Sequence, residues 1–150
     1  MKKTSKKFIS LLLAVVMVFA MSATVFAAGE PHKAALYKAG TYGTDKQEAS
    51  MGNGAITGAT VEKIEGGYRI TVHLDEDFKA YGIKSNMEKV TVEGVPAKMV
   101  DVAGVKGKNE AFVFDYMTTD ENAFPHKFSA SFTLKALIMP INAEGDLVIF

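Results

Sequence analysis

The residues that decide the fold run from Ala59 to Leu74 and read ATVEKIEGGYRITVHL. Apolar and polar residues alternate through the second half of this stretch, which is the period of a strand with one buried face. The apolar members are Tyr68, Ile70, Val72 and Leu74. The Glu65-Gly66-Gly67 segment supplies a turn, because glycine reaches positive φ without a steric penalty. The stretch therefore predicts a β-hairpin.

The same alternation recurs along the rest of the chain. It is found in residues 89–93, 111–116 and 127–134, and residues 97–102 and 147–150 are also expected to be strands. About eight short strands separated by turn residues are typical of an antiparallel sandwich or barrel. Short helical turns compete only in residues 46–53 and 77–87, and the Gly- and Lys-rich segment 104–110 is expected to be a surface connection.

The first 27 residues have the pattern of a signal peptide. Four lysines between Lys2 and Lys7 precede an apolar run from Phe8 to Met21, and Val25-Phe26-Ala27 offers the small residues that a signal peptidase needs. We expect cleavage after Ala27, with Ala28 as a near variant. The alternative is an uncleaved membrane anchor, for which the run is short, since a spanning helix needs about 20 apolar residues.

Composition bounds what the remaining chain can do. Removing 27 of the 150 residues leaves 123, with 13 of the 17 basic residues against all 17 acidic ones, a net charge of −4. This balance argues against nucleic-acid binding. The absence of cysteine excludes disulfides and thiolate ligands. We expect a flexible segment over residues 28–36, one domain over residues 37–150, no membrane span after cleavage, and a secreted protein or one loosely associated with the cell wall.

Catalytic residues are poorly represented in the sequence. His32, His73 and His126 lie far apart, without a metal-ligand spacing, and no nucleophile motif of the G-x-S-x-G type occurs. The acidic runs 75–77 and 120–122 are interpreted as solvated strand ends and loops. The sequence therefore predicts a protein that is not an enzyme.

One segment stands out chemically, the Ser50-Met51-Gly52-Asn53-Gly54 lip. It joins a hydroxyl, a polarisable thioether that packs well on aromatic faces, and two glycines that allow close approach. The alternative is an ordinary loop in which Met51 plugs the end of the sandwich.

The order of several segments resembles a NEAT (near-transporter) domain, the haem-binding module of exported bacterial proteins. The segments are Gly40-Thr41-Tyr42, residues 50–54, residues 67–72, Tyr81-Gly82-Ile83, residues 87–90, residues 112–114 and Met139-Pro140-Ile141-Asn142. The resemblance implies an immunoglobulin-like β-sandwich with a short helical lip that takes up or relays haem. It implies that Ser50 bonds a haem propionate, that Met51 covers the ring, and that the hairpin from Leu137 to Phe150 forms the opposite wall.

The family's iron-binding tyrosines are missing, because their positions fall on Ala143 and Leu147. Ferric haem needs an axial donor such as His, Met, Cys or Tyr. Three interpretations stay open. Met51 and Met139 could ligate iron, with Ile138 and Ile141 completing the apolar wall; the site could hold another flat apolar ligand; or the domain could be a cofactor-free surface-binding or adhesion module. Met139 could also be a plain core residue. Expected partners are haem, host haemoproteins or other haem-carrier domains.

Overall fold

The computed structural model describes residues 29–150, which form eleven strands and one short helix. In chain order they are β1 (Glu30–His32), β2 (Ala34–Lys38), a 3₁₀ helix (Met51–Ala55), β3 (Ile56–Ile64), β4 (Gly67–Leu74), β5 (Lys79–Ala80), β6 (Ile83–Val92), β7 (Val95–Pro96), β8 (Lys98–Val102), β9 (Val105–Met117), β10 (His126–Ala136) and β11 (Met139–Ile149). The signal-peptide prediction lies outside the described residues. No helix among residues 29–150 has the length and hydropathy needed to cross a membrane.

The strands form two antiparallel sheets. The first has the order β1-β3-β4-β9-β8, and the second has the order β2-β11-β10-β6-β5, with β7 added beside β6. The sheets enclose one hydrophobic core, whose buried side chains come from residues between Leu36 and Ile149. Residues 29–150 therefore contain both sheets and the core between them, and the predicted all-β sandwich is confirmed.

The hairpin predicted at residues 59–74 forms as β3 and β4. Ile64 pairs with Gly67 and Val61 pairs with Ile70, so the turn lies at Glu65-Gly66. Ile70 and Val72 have no exposed surface, whereas their polar neighbours face outward. Burying such a side chain contributes about 1.5–3 kcal/mol relative to leaving it exposed, which explains why the alternation fixes the register.

Two expectations are wrong. Residues 30–36, expected to be flexible, form β1 and most of β2, because Leu36 is an apolar core residue and β2 pairs with β11. Residues 105–110, expected to be a surface connection, form the first half of β9. Residues 105–107 are exposed, but the segment pairs with β8, and Asn109 is buried with its side-chain amide donating to the Met87 carbonyl.

Two hairpins lie side by side at one end of the second sheet. Strands β6 and β10 are neighbours, with Ser85 opposite Ala136. The β5–β6 turn at Tyr81-Gly82 and the β10–β11 turn at Leu137-Ile138 therefore project from the same end. Strand β2 pairs only with residues 145–149 of β11. Among the described residues, the part of β11 before Gly145 thus has a strand partner on the β10 side alone.

Candidate functional site

The predicted lip forms a 3₁₀ helix that is held against β2 by backbone hydrogen bonds. The Ser50 amide donates to the Leu36 carbonyl at 2.9 Å, and the Asn53 amide donates to the Ser50 carbonyl at 3.0 Å. The Asn53 side chain accepts a bond from the Leu36 amide at 2.8 Å. The start of the helix is therefore fixed to the edge of the second sheet.

Glycines let this helix pass close to the inner face of the second sheet. A Cβ atom on Gly52 would lie 2.8 Å from the Phe132 ring, and one on Gly54 would lie 2.9 Å from the Phe78 ring. Such separations are too short for real side chains. The helix thus packs directly against the Phe132 and Phe78 rings, and Gly52 and Gly54 are needed for this close packing.

Ser50 and Met51 occupy different environments. Ser50 is only 7% exposed, and its side chain makes no capping bond to the helix that follows it. Met51 is partly buried and packs against the core cluster. The placement of Met51 agrees with the alternative in which this residue plugs the sandwich end, while part of its surface still reaches solvent.

The opposite wall is far more exposed. Ile138 is 88% exposed and Met139 is 67% exposed. The interpretation of Met139 as a core residue is therefore wrong. Ile141 is partly buried and packs against the core, on the same strand face as Met139 because the two lie two residues apart. This hairpin end thus carries an uncovered apolar surface.

The two positions of the missing tyrosines also differ. Ala143 is partly buried and packs beside the core. Leu147 is 1% exposed and pairs with both Phe128 and Leu36. The second position therefore lies in the centre of the core, where a side chain cannot reach a ligand at the hairpin end.

A groove of about 1060 Å³ lies away from the lip, and the sequence pattern does not predict it. It runs between β4 and β9 on one side and the β7–β8 segment on the other. Arg69 forms two hydrogen bonds to Asp115 on its rim, at 3.0 and 3.3 Å, and these bonds, together with the Asp115 charge, raise the pKa of Arg69. The groove arises because β8 pairs with β9 only as far as Val113, an end point that strand patterning does not reveal.

Two smaller cavities lie elsewhere. A depression of about 470 Å³ on the outer face of the second sheet is lined mainly by polar side chains, including Lys89, Thr133 and Glu144. A void of about 10 Å³ lies within the core beside Phe112. None of these three cavities is lined by Ser50, Met51 or Met139.

The histidines stay apart, as their sequence positions suggest. His32 bonds the Phe150 carbonyl, His73 lies 2.7 Å from the Thr60 hydroxyl, and His126 stacks on Tyr116 at 4.5 Å between ring centroids. Within residues 29–150, no group of three His, Cys, Asp or Glu side chains could hold a metal ion.

Comparison of the chain with protein-family models, with curated proteins and with solved structures gave no match.

Proposed function

We propose that this domain binds a flat, largely apolar ligand of the haem type between the 3₁₀ helix and the inner face of the β10–β11 hairpin. One observation carries the proposal. Strand β2 pairs only with residues 145–149 of β11, so it does not lie beside Met139 and Ile141. Met139 is 67% exposed. Such uncovered apolar surface, on the sheet against which the 3₁₀ helix and its partly buried Met51 pack, favours a planar ligand.

The donor types at this face are compatible with haem. A thioether sulfur is one of the axial donors that haem iron accepts in proteins. Met139 is exposed enough to reach a ligand, and Met51 has three rotatable bonds that let it move from its packed position at small cost. When bound, haem would supply a ligand-binding or redox-active iron.

Different residues of the chain would make different contacts with the ligand. Ile141 would contact one ring face and Met51 the other, Ile138 would border the ring at the turn, and Met139 would supply sulfur. Ser50 can contribute only the small part of its hydroxyl surface that reaches solvent, since it is 7% exposed. We therefore expect apolar contact and sulfur, more than Ser50, to determine affinity.

Titration of residues 29–150 with haemin tests the proposal. We expect a Soret band distinct from that of free haemin, with saturation at one equivalent. Met139→Ala should shift the band and weaken binding, and Met51→Ala should do the same, since each removes a thioether. Deleting one good contact of this kind costs about 1–2 kcal/mol, or roughly five- to thirty-fold in affinity.

Met117→Ala is the matched control, because Met117 is also exposed, at 62%, but is the last residue of β9, where it pairs with Gly67. It should leave the spectrum unchanged. If folded wild-type protein gives no Soret change, the haem proposal is wrong. If the change survives loss of both Met51 and Met139, thioether ligation is wrong.

A second function is favoured by the groove beside β9. Residues after Val113 pair with β4 but extend past the end of β8, and exposed Val95 and Met117 lie on the groove. An extended peptide could add there as a strand, which would suit a cofactor-free binding or adhesion module. Selection of displayed peptides on residues 29–150 should enrich binders that Val95→Lys and Met117→Lys abolish. No enrichment, or enrichment that survives both changes, would exclude this function.

A further inference from the structure

The two turns at the free end of the second sheet expose a group of apolar side chains. Tyr81 is 79% exposed, Leu137 is 73% exposed and Ile138 is 88% exposed. Ile83 and Met139, the first residues of the adjoining strands, are also exposed. Since β6 and β10 are neighbours, these side chains form one patch, which we call the apolar tip (Tyr81, Ile83, Leu137, Ile138, Met139). Contiguous exposed apolar surface of this kind marks an interaction site.

Two residues of the apolar tip occupy unfavourable backbone conformations. Tyr81 has φ +52° and Leu137 has φ +57°. The left-handed region favours Gly and Asn, and a bulky side chain there lowers stability. Each residue thus exposes a large apolar group at a position where a small polar one would suit the fold better. Strain of this kind, observed at an exposed turn, points to a function outside folding.

Three lysines lie beside the apolar tip, on the outer face of the same sheet. Lys79 lies directly opposite Lys84 across β5 and β6, and Lys135 pairs with Asn86 on the next strand. Like charges in direct cross-strand positions are unfavourable. The nearest carboxylate, Asp77, lies 3.6 Å from Lys84 and 3.9 Å from Lys108, so two lysines share it. An additional anion would relieve this repulsion.

We propose that the apolar tip inserts into the surface of an anionic lipid bilayer while Lys79, Lys84 and Lys135 contact lipid phosphates. Two narrow turns that carry apolar side chains beside a basic rim fit the boundary between acyl chains and headgroups. A second copy of the chain suits the patch less well, since a symmetric contact would bring the same lysines together. The apolar tip shares Ile138 and Met139 with the proposed ligand site, but Tyr81, Leu137 and the lysines lie outside that site, so changes at these residues test the inference apart from haem binding.

Co-sedimentation of residues 29–150 with vesicles tests the proposal. We expect binding to mixed phosphatidylglycerol–phosphatidylcholine vesicles, weaker binding in high salt, and little binding to phosphatidylcholine alone. Lys79→Glu and Lys84→Glu should each weaken binding about five-fold or more, given the usual contribution of one basic residue at an anionic surface. Equal binding to both vesicle types would overturn the electrostatic part of the proposal.

The double variant Tyr81→Asn/Leu137→Asn separates function from folding. Asn tolerates the left-handed region, so the variant should unfold at a higher temperature than the wild type while its vesicle binding falls at least about ten-fold. Its haemin titration should be unchanged. Vesicle binding equal to that of the wild type would overturn the proposal, whatever the haemin result.

Val95→Ser/Met117→Ser is the matched control, since both residues are more than 60% exposed and neither belongs to the two turns. It should bind vesicles as the wild type does. An equal loss in this variant would show non-specific adsorption and contradict the proposal. The proposal would also be contradicted if analytical ultracentrifugation showed that the wild type is a dimer that binds no vesicles and that the Asn double variant is a monomer.

Discussion

At the scale of single residues, His73 links stability to pH. Its ring lies 2.7 Å from the Thr60 hydroxyl, and burial lowers its pKa below the ordinary 6.5, an effect that the Glu110 charge only partly offsets. The unfolded chain therefore binds a proton more readily than the folded one. By linkage, the His73 contribution is fully favourable above pH 6.5 and is lost as the pH falls through 6.5 towards the folded pKa.

We predict that His73→Gln makes the free energy of unfolding less sensitive to pH in this window. Glutamine can still bond Thr60 but does not titrate. Urea unfolding at a series of pH values, on either side of 6.5, measures the effect. A pH dependence as steep in the variant as in the wild type would show that other groups are responsible.

At the scale of secondary-structure elements, the β4–β9 pairing depends on one glycine. Gly67 faces the backbone of β9, where a Cβ atom would strike the Tyr116 carbonyl and would lie 2.8 Å from the Met117 Cα. Both obstacles are main-chain atoms within a paired strand, so neither can rotate away. The sequence shows this glycine only as part of a turn, although its tighter constraint is this cross-strand contact.

We predict that Gly67→Ala destabilises the domain by about 2–3 kcal/mol through forced displacement of the strands. Arg69→Ala in the same strand is the control. It removes an exposed ion pair with Asp115, 49% and 42% exposed, whose contribution is about 0–1 kcal/mol. Urea midpoints compare the two variants, and an equal loss in both would mean that the strands adjust freely to a methyl group.

The sequence pattern predicts a strand well when one face of that strand is buried among apolar side chains. The alternation in β4 and β10 predicts both correctly, because each has one face that is mostly buried. It fails for residues 105–110, since Asn109 is buried by hydrogen bonding, a property that hydrophobic patterning does not register. The lip was predicted to be short and helical, but whether Met139 is covered depends on where β2 ends, which is a tertiary property.

At the scale of the whole molecule, the two ends of the sandwich carry different surfaces. One end has the 3₁₀ helix, the uncovered hairpin face and the apolar tip. The other contains Gly67 and Met117, beside which the large groove lies. A ligand site and a membrane-facing tip at the same end would bring an apolar ligand close to lipid. The two proposals share Ile138 and Met139, whereas Tyr81, Leu137 and the lysines belong to the tip alone.

The two sheets are joined across their edges by a polar contact as well as by the core. The Asn109 side-chain amide on β9 donates to the Met87 carbonyl on β6 at 2.9 Å. The Asn109 backbone amide donates to the side-chain oxygen of Asn86 at 3.1 Å. Asn109 is 4% exposed. Because water has little access to this site, each of these groups needs its protein partner.

We predict that Asn109→Leu lowers the free energy of unfolding by about 2–3 kcal/mol, since the Met87 carbonyl loses its side-chain donor and a larger apolar group enters a polar site. Thr133→Val is the control, because it removes a side-chain hydrogen bond to Asn142 on an exposed face, where water can substitute. Urea unfolding followed by circular dichroism measures both. If Asn109→Leu costs no more than Thr133→Val, the packing of the core alone holds the sheets together, and the polar contact only sets the register of β9 against β6.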